Sequence, residues 1–276
     1  MTKKVILSRK GFDSSAGGKP SFIYGDRLIS LPIPGKGSGI GYKDIFFDQN
    51  TKLDKVMQEV GIKQYDSECH LDPDIKFESI LNRHNKWNPA FGQADIPEKV
   101  LRKNNVGHGD LFLFYGWFKE IDIKDGKFKY IQNAPNLHII FGFLEVDETL
   151  DLNNSNVIIP QYLESHPHVV NKDKYLNSNR LYIGKNAGKF HYDDSLVLTK
   201  KREKRSRWEL PRYFENEKFL GGTNKSILPN GNVRIEFIGR NNQEVLITDS
   251  SDVVEWAENM IKTNRIQSNQ ITTKLQ

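Results

Sequence analysis

Acid–base side chains recur at short spacings in three places: His70 and Asp72, two apart and followed by Pro73 and Asp74; His166 and His168, on either side of Pro167; and Asp13, among small residues. An imidazole and a carboxylate around one small volume can polarise a water, orient a substrate hydroxyl or ligate a hard or borderline cation. His70-Leu71-Asp72-Pro73-Asp74 also reads as a plain Asx turn, because Asp-Pro initiates turns. In His166-Pro167-His168 the fixed φ of proline restricts how the two rings face each other. Two imidazoles plus a carboxylate from elsewhere suffice for zinc or non-haem iron. The spacing lacks the helical i, i+4 placement of H-E-x-x-H, so a divalent metal at His166 and His168 is the less favoured reading and no metal ligand is assigned. Asp13, His70, Asp72, His166 and His168 are the candidate catalytic groups.

A second chemistry is anion binding. The loop from Ser8 to Lys19 carries Arg9, Lys10, Ser14, Ser15, Gly17 and Gly18. Glycines let backbone N–H groups converge on an anion, hydroxyls add donors, and Arg and Lys supply charge, so Arg9, Lys10, Ser14 and Ser15 are candidate phosphate contacts. Neither G-x-x-x-x-G-K-[ST] nor G-x-G-x-x-G occurs, and a solvated Gly/Ser loop is the plain alternative. Tyr115 and Trp117 flank Gly116, a spacing that clears room beside an aromatic face and suits base stacking, while Phe112 and Phe114 read as core. Between Lys200 and Arg212 seven basic residues stand against two acidic ones. That stripe reads as a nucleic-acid contact or as a solvated face, with Arg207 and Trp208 its site-like members.

Groups so far apart in the chain need a scaffold to bring them together. Lys4 to Leu7 predicts a strand that feeds the polar loop, and Ser21 to Tyr24 with Arg27 to Pro32 predict a hairpin turned at Gly25-Asp26. Leu53, Val56, Met57 and Val60 fall at i, i+3, i+4 and i+7, a short amphipathic helix ended by Gly61. Ile96 to Leu101, with Pro97 in its first turn, predicts a second helix. Gly107-His108-Gly109-Asp110 predicts a tight turn served by Asp110. Leu111 to Phe118 is apolar throughout, the mark of a strand buried on both faces; with Lys127 to Ile131 and His138 to Val146 it predicts an antiparallel meander. Short strands follow at Arg180 to Ile183, Ser195 to Leu198 and Glu244 to Ile247, then a helix from Val253 to Ile261 capped by Ser250, Ser251 or Asp252. The fold class is α+β: one domain over residues 1–265, a mainly antiparallel mixed sheet or partly closed barrel with a few short helices, then a frayed polar tail over 266–276.

The 276 residues are 37% hydrophobic, 11% aromatic and 27% charged, which excludes disordered and collagen-like chains. Apolar runs reach only about eight residues, far short of the ~18–20 that span a bilayer. No signal-peptide core follows Met1, so the chain is expected in the cytoplasm and not in a membrane. Cys69 is the single cysteine, ruling out an intrachain disulfide or a multi-cysteine metal site. The net charge of +5 permits an anionic partner without requiring one.

Taken in order, the residues from Ser8 to Ser21, Leu31-Pro32-Ile33-Pro34, His70 to Asp74, Gly109 to Phe118, His138 to Gly142, His166-Pro167-His168 and Arg207 to Pro211 resemble the nucleotide modification associated domain 3 family. The matched blocks run from about residue 5 to the low 210s. The resemblance implies company with bacterial and phage DNA-modification genes, and it names no reaction. Gly109-Asp110 and Gly142-Phe143-Leu144-Glu145-Val146 are also similar in outline to PUA-like barrels, where such residues flank a base pocket.

Two functional classes are consistent with these residues. The first is an enzyme that transfers or hydrolyses a group on a nucleotide or base, with phosphate on Arg9 and Lys10 and the base held by Tyr115 and Trp117. The second is a module without turnover that reads modified bases or sequesters a nucleotide signal. In both, the partner is a nucleotide or nucleic acid.

Overall fold

A computed structural model describes residues 2–63, 68–238 and 242–266. In chain order its strands are β1 (Val5–Arg9), β2 (Ser21–Tyr24), β3 (Arg27–Ile29), β4 (Ile33–Pro34), β5 (Cys69–His70), β6 (Ala90–Ala94) and β7 (Leu111–Lys124). They continue as β8 (Lys127–Tyr130), β9 (Leu137–Asp151), β10 (Asn179–Lys189), β11 (Arg207–Leu210), β12 (Gly222–Ile227), β13 (Val233–Ile238) and β14 (Glu244–Thr248). The helices are α1 (Leu53–Glu59), α2 (Asp95–Lys103), α3 (Pro167–Val170) and α4 (Ser251–Asn264).

The apolar run beginning at Leu111 lies at the centre of the molecule because it is buried on both faces as far as Tyr115. The main sheet curls as a mixed half-barrel in the order β14-β1-β7-β9-β10-β6, with β2, β3 and β8 attached off this path. The α+β class and single compact domain read from the sequence hold. Strand β9 pairs antiparallel with Leu111 to Phe118 along one edge of β7. On the opposite edge β1 runs parallel to Leu111–Tyr115 and β2 runs parallel from Phe118. The polar loop between β1 and β2 is therefore extruded from the middle of a fully paired strand. Gly116 sits where the loop leaves: a Cβ there would lie 2.8 Å from the Lys10 carbonyl oxygen. The room beside Gly116 is filled by backbone and is not open to a base.

The predicted meander is corrected in one respect. β8 pairs with Ile121–Lys124 of β7, whereas β9 returns to pair with the first half of that strand. Ser195 to Leu198 is not a strand either: a 3-10 turn occupies Asp194–Leu196, and only Val197 bridges to Ile139. The predicted tail falls, from residue 267 on, outside the described residues.

Among the described residues, three apolar clusters hold these layers together. The largest joins the main sheet to α4 and to a three-stranded sheet in the order β11-β13-β12, with Trp208 inside it. A second gathers α1 and the β2–β3 hairpin around Phe22, Tyr42, Phe47 and Met57. A third pairs Leu181 and Ile183 of β10 with Leu150, Leu152 and Leu163. Asp110 serves its turn as expected, accepting from the Gly107 N–H at 2.9 Å and the Lys4 N–H at 2.8 Å, which ties the turn to the start of β1. Burial pushes the Cys69 thiol up to about 12, so it behaves as a small apolar residue. Among the described residues no helix is long and apolar enough to cross a membrane.

His138 lies in the largest core and accepts the Trp208 indole N–H at Nδ1, 3.0 Å away. Burial, with help from the Arg205 and Arg9 charges, pushes its pKa from 6.5 down to about 3. The unfolded chain then takes up this proton before the folded one does, so the contribution to stability is complete above about pH 6.5 and is lost as pH falls towards 3. Urea unfolding across that window is expected to show a steeper loss in the wild type than in His138→Gln. Equal slopes would show that His138 is not held neutral by the fold.

Candidate functional site

The site forms where four segments meet beside the edge strand β6. Residues 70–74 leave β5, and Asp74 and Ala90 exchange backbone hydrogen bonds of 2.9 and 3.0 Å that lay this turn along β6. Two residues further along β6, the Gly92 N–H donates to Asp72 Oδ1 at 2.8 Å. Pro167 opens α3, as its missing N–H allows at a first helical position, and His166 caps the helix by accepting the His168 N–H at Nδ1, 3.2 Å away. His168 is then laid flat on β6. A Cβ on Gly92 would lie 2.2 Å from the His168 ring, so any side chain there would displace the imidazole. Asn179, the first residue of β10, locks the ring: its Nδ2 donates to the His168 carbonyl at 3.0 Å and its Oδ1 faces His168 Nδ1 at 2.8 Å.

Asp72 is thereby ringed by imidazoles. His70 Nε2 and His168 Nε2 each lie 3.7 Å from Asp72 Oδ2, and His166 Nε2 lies 3.6 Å from Oδ1. Burial opposes charge on Asp72, but its contacts with His166, His70 and His168 outweigh that and hold its carboxyl far below the usual carboxylate range. Burial dominates at His168 and pushes it down to about 3 despite the Asp72 carboxylate, leaving a neutral ring beside an ionised acid.

This cluster forms one wall of a cavity of about 450 Å³, a size suited to a small ligand. The loop after β1 supplies another wall with Arg9, Lys10, Asp13 and Ser15, and Lys36, Lys174 and Tyr175 complete the rim. The basic loop, the imidazoles and the acidic turn therefore face one hollow. Burial lowers the Lys10 pKa, while Glu244 and Asp72 support its charge across the cavity and Arg9 opposes it. Its ammonium lies 3.2 Å from Gln243 Oε1 and 3.9 Å from Glu244 Oε1, and 4.3 Å from the centre of the Phe91 ring. Glu244 is itself buried and accepts from Gln93 Nε2 at 2.6 Å and Ser8 Oγ at 3.1 Å.

The other predicted site residues lie elsewhere or serve other roles. His166 is behind the cluster, not on the cavity wall. Asp13 does line the cavity, but Oδ1 is taken by the Ser15 N–H and hydroxyl and the Ala16 N–H, at 2.7 to 2.8 Å, and Oδ2 lies 3.5 Å from Arg9. It organises the basic loop. Ser14 points away from the cavity and bonds Arg205, whose guanidinium lies 3.8 Å from the centre of the Trp117 ring. The Trp117 indole N–H bonds Asn136, outside the cavity. Tyr115 and Trp208 are fully buried with ring centres 5.0 Å apart, so neither is presented to a ligand. The reason is coverage: the three-stranded sheet packs over the Tyr115 end of β7 and leaves the Trp117 end half-exposed. Arg207 is held by Glu236 at 2.7 Å and Glu203 at 2.9 Å, while Lys200 and Arg212 lie 3.7 and 2.7 Å from Glu209 and Glu215. Three of the seven basic residues of the stripe are thus paired with carboxylates in place.

Sequence reasoning missed Gly92, Gln93, Asn179 and Glu244. The only local signal was the sequence Ala90-Phe91-Gly92-Gln93-Ala94, too poor in β-branched residues to read as a strand.

A family model described as nucleotide modification associated domain 3 matches residues 4–246, reaching well past Pro211, where the sequence resemblance ended. No curated protein and no solved structure matches the chain. The match spans the basic loop, both histidine segments and every strand of the main sheet up to Leu246. This chain belongs to the nucleotide modification associated domain 3 family.

Proposed function

We propose that this protein is an enzyme that acts on a nucleotide, or on a base within nucleic acid, in a bacterial or phage DNA-modification or defence system. One observation carries the reading: a buried, ionised carboxylate ringed by imidazoles faces a basic Gly/Ser loop across one cavity. A pure binding site for an anion has no need of a buried carboxylate, which would repel its ligand. Group transfer or hydrolysis at a glycosidic or phosphoryl centre does need one, because charge develops that a fixed carboxylate and nearby cations stabilise.

In this reading Arg9 and Lys10 take the phosphate, with Ser15, Lys36 and Lys174 at the rim. Asp72 works at the reacting centre with His168 and His70, and His166 and Asp13 position their neighbours. The test is incubation with a panel of nucleoside phosphates and DNA, followed by mass spectrometry of every species. A substrate is expected to be consumed, and recovery of all ligands unaltered would leave only a binding module that reads modified bases or sequesters a nucleotide. Lys10→Met is expected to weaken ligand binding by about tenfold or more, as losing a charge-assisted contact does. Lys200→Glu is expected to change it less than about twofold. The reverse order would move the ligand to the basic stripe of residues 200–212.

A further inference from the structure

We infer that His70 Nε2, Asp72 Oδ2 and His168 Nε2 together bind one divalent transition-metal ion, with Asn179 holding His168 in the ligating tautomer. The inference deepens the reading of the same cavity and rests on that reading for the ion's use, whereas metal binding itself is measured without any nucleotide.

Three observations carry it. First, the orientation of Asn179 is fixed, because its Nδ2 donates to the His168 carbonyl, so the Oδ1 facing His168 Nδ1 must accept. His168 Nδ1–H therefore donates to Asn179, which leaves Nε2 as the ring's ligand atom, 3.7 Å from Asp72 Oδ2. A metal ion between Nε2 and Oδ2 would be held by both. An oxygen acceptor behind the second ring nitrogen is how ligating histidines are commonly held, and the Asn179 amide oxygen takes that place here.

Second, the other carboxylate oxygen is turned away from the cavity. Asp72 Oδ1 accepts the Gly92 N–H, and on the same side it faces His166 Nε2, a buried nitrogen with no hydrogen-bond partner. With His166 Nδ1 accepting from His168, its proton is on Nε2 and directed at Asp72 Oδ1, 3.6 Å away. Oδ2 is left for the two rings that line the cavity.

Third, the spacing fits. The three ligand atoms lie within 4.8 Å of one another, and both nitrogens are 3.7 Å from the oxygen. Bonds of about 2.1 Å at a tetrahedral angle place ligand atoms about 3.4 Å apart. Both nitrogen–oxygen spans are within a few tenths of an ångström of that, and rotation of the two rings towards each other closes the wider nitrogen–nitrogen span. Three protein ligands on a cavity wall leave at least one position for water or substrate, the pattern of catalytic rather than structural metal sites. Two imidazoles with one carboxylate suit zinc or ferrous iron and do not suit magnesium or calcium, which prefer all-oxygen shells.

The test is titration of chelator-treated full-length protein with Zn²⁺, and anaerobically with Fe²⁺, by calorimetry and by elemental analysis after gel filtration. One equivalent of at least one ion is expected to bind. His70→Ala, at the cavity rim where it leaves the core intact, is expected to weaken that binding at least 100-fold. Asn179→Ala, with folding checked by circular dichroism, is expected to weaken it about 10- to 100-fold. Failure of both ions to bind stoichiometrically would overturn the proposal. So would binding that survives His70→Ala, which would mark an adventitious site on the exposed histidines. Turnover of a nucleotide by metal-free protein would sink the ion's role and leave the enzymatic reading standing.

Discussion

Asp72→Asn is expected to lower turnover of the nucleotide substrate by about 10²- to 10⁴-fold, the range lost when a positioned acid–base or charge-stabilising group is removed. The amide matches the carboxylate in shape and still offers an oxygen to the Gly92 N–H, which lies 2.8 Å from Asp72 Oδ1 in the wild type. What it loses is the negative charge, held by the protein at a buried position where three imidazoles surround it. The rate constant should therefore fall much further than ligand affinity, which rests on Arg9 and Lys10. A variant that keeps turnover within about threefold of the wild type would remove Asp72 from the chemistry and place the reaction on other residues of the cavity.

Trp208→Ala is expected to cost about 3–5 kcal/mol of stability, the range for emptying a large aromatic from a core. At about 2–4 °C per kcal/mol, Tm falls by on the order of ten degrees. The Trp208 ring is fully buried against Tyr115 and Phe237, with ring centres 5.0 and 4.6 Å away, and its N–H is spent on His138. Because it lies outside the cavity, ligand affinity measured on the folded fraction should match the wild type. Unchanged stability with lost ligand binding would instead make Trp208 a stacking residue, as its place in the basic stripe suggested. Thermal denaturation and calorimetric titration of the same preparation separate the two outcomes.

The contrast between these residues shows which features the sequence carried. Local patterns were legible: the i, i+3, i+4, i+7 spacing from Leu53 gave α1, Gly25-Asp26 gave the β2–β3 turn, and the apolar run from Leu111 gave the central strand. The chemistry of the site was legible as residue type and spacing, because His70, Asp72 and His168 stand within short motifs and the basic loop is rich in small residues. What could not be read were the consequences of distant packing. Tyr115 and Trp117 share a strand face, and only the arrival of β11 and β13 over one of them makes it core. Arg207 looked free for phosphate until Glu236, 29 residues on in sequence, came to meet it. Glu244 opened a predicted short strand with nothing local to mark it as buried, and it is buried because β14 pairs with β1 and brings it against Ser8 and Gln93. The strand β12 escaped notice because its side chains are almost all solvent-facing, so no apolar alternation marks it.

Two further cavities compete with the candidate site on size. One of about 650 Å³ lies beside α4 and carries Asp252 and Glu255, which suits no anion. The other, of about 750 Å³, is lined by Arg27, Lys76, Arg83 and Lys189 over an apolar floor, and is the stronger rival of the two. Arg83 there is already committed to Asp74, with both guanidinium nitrogens 2.5 to 2.6 Å from its carboxylate, and Arg27 to the Phe47 carbonyl. No histidine lines that cavity, so it lacks the acid–base cluster that distinguishes the smaller one.

A crystal structure of the full chain soaked with a nucleoside monophosphate discriminates between them in one measurement. Electron density for phosphate against Lys10 and the loop after β1, with the nucleoside extending towards Asp72 and His168, is the predicted result. Density instead in the hollow beside Lys76 and Lys189, with the histidine-lined cavity holding only solvent, would contradict it.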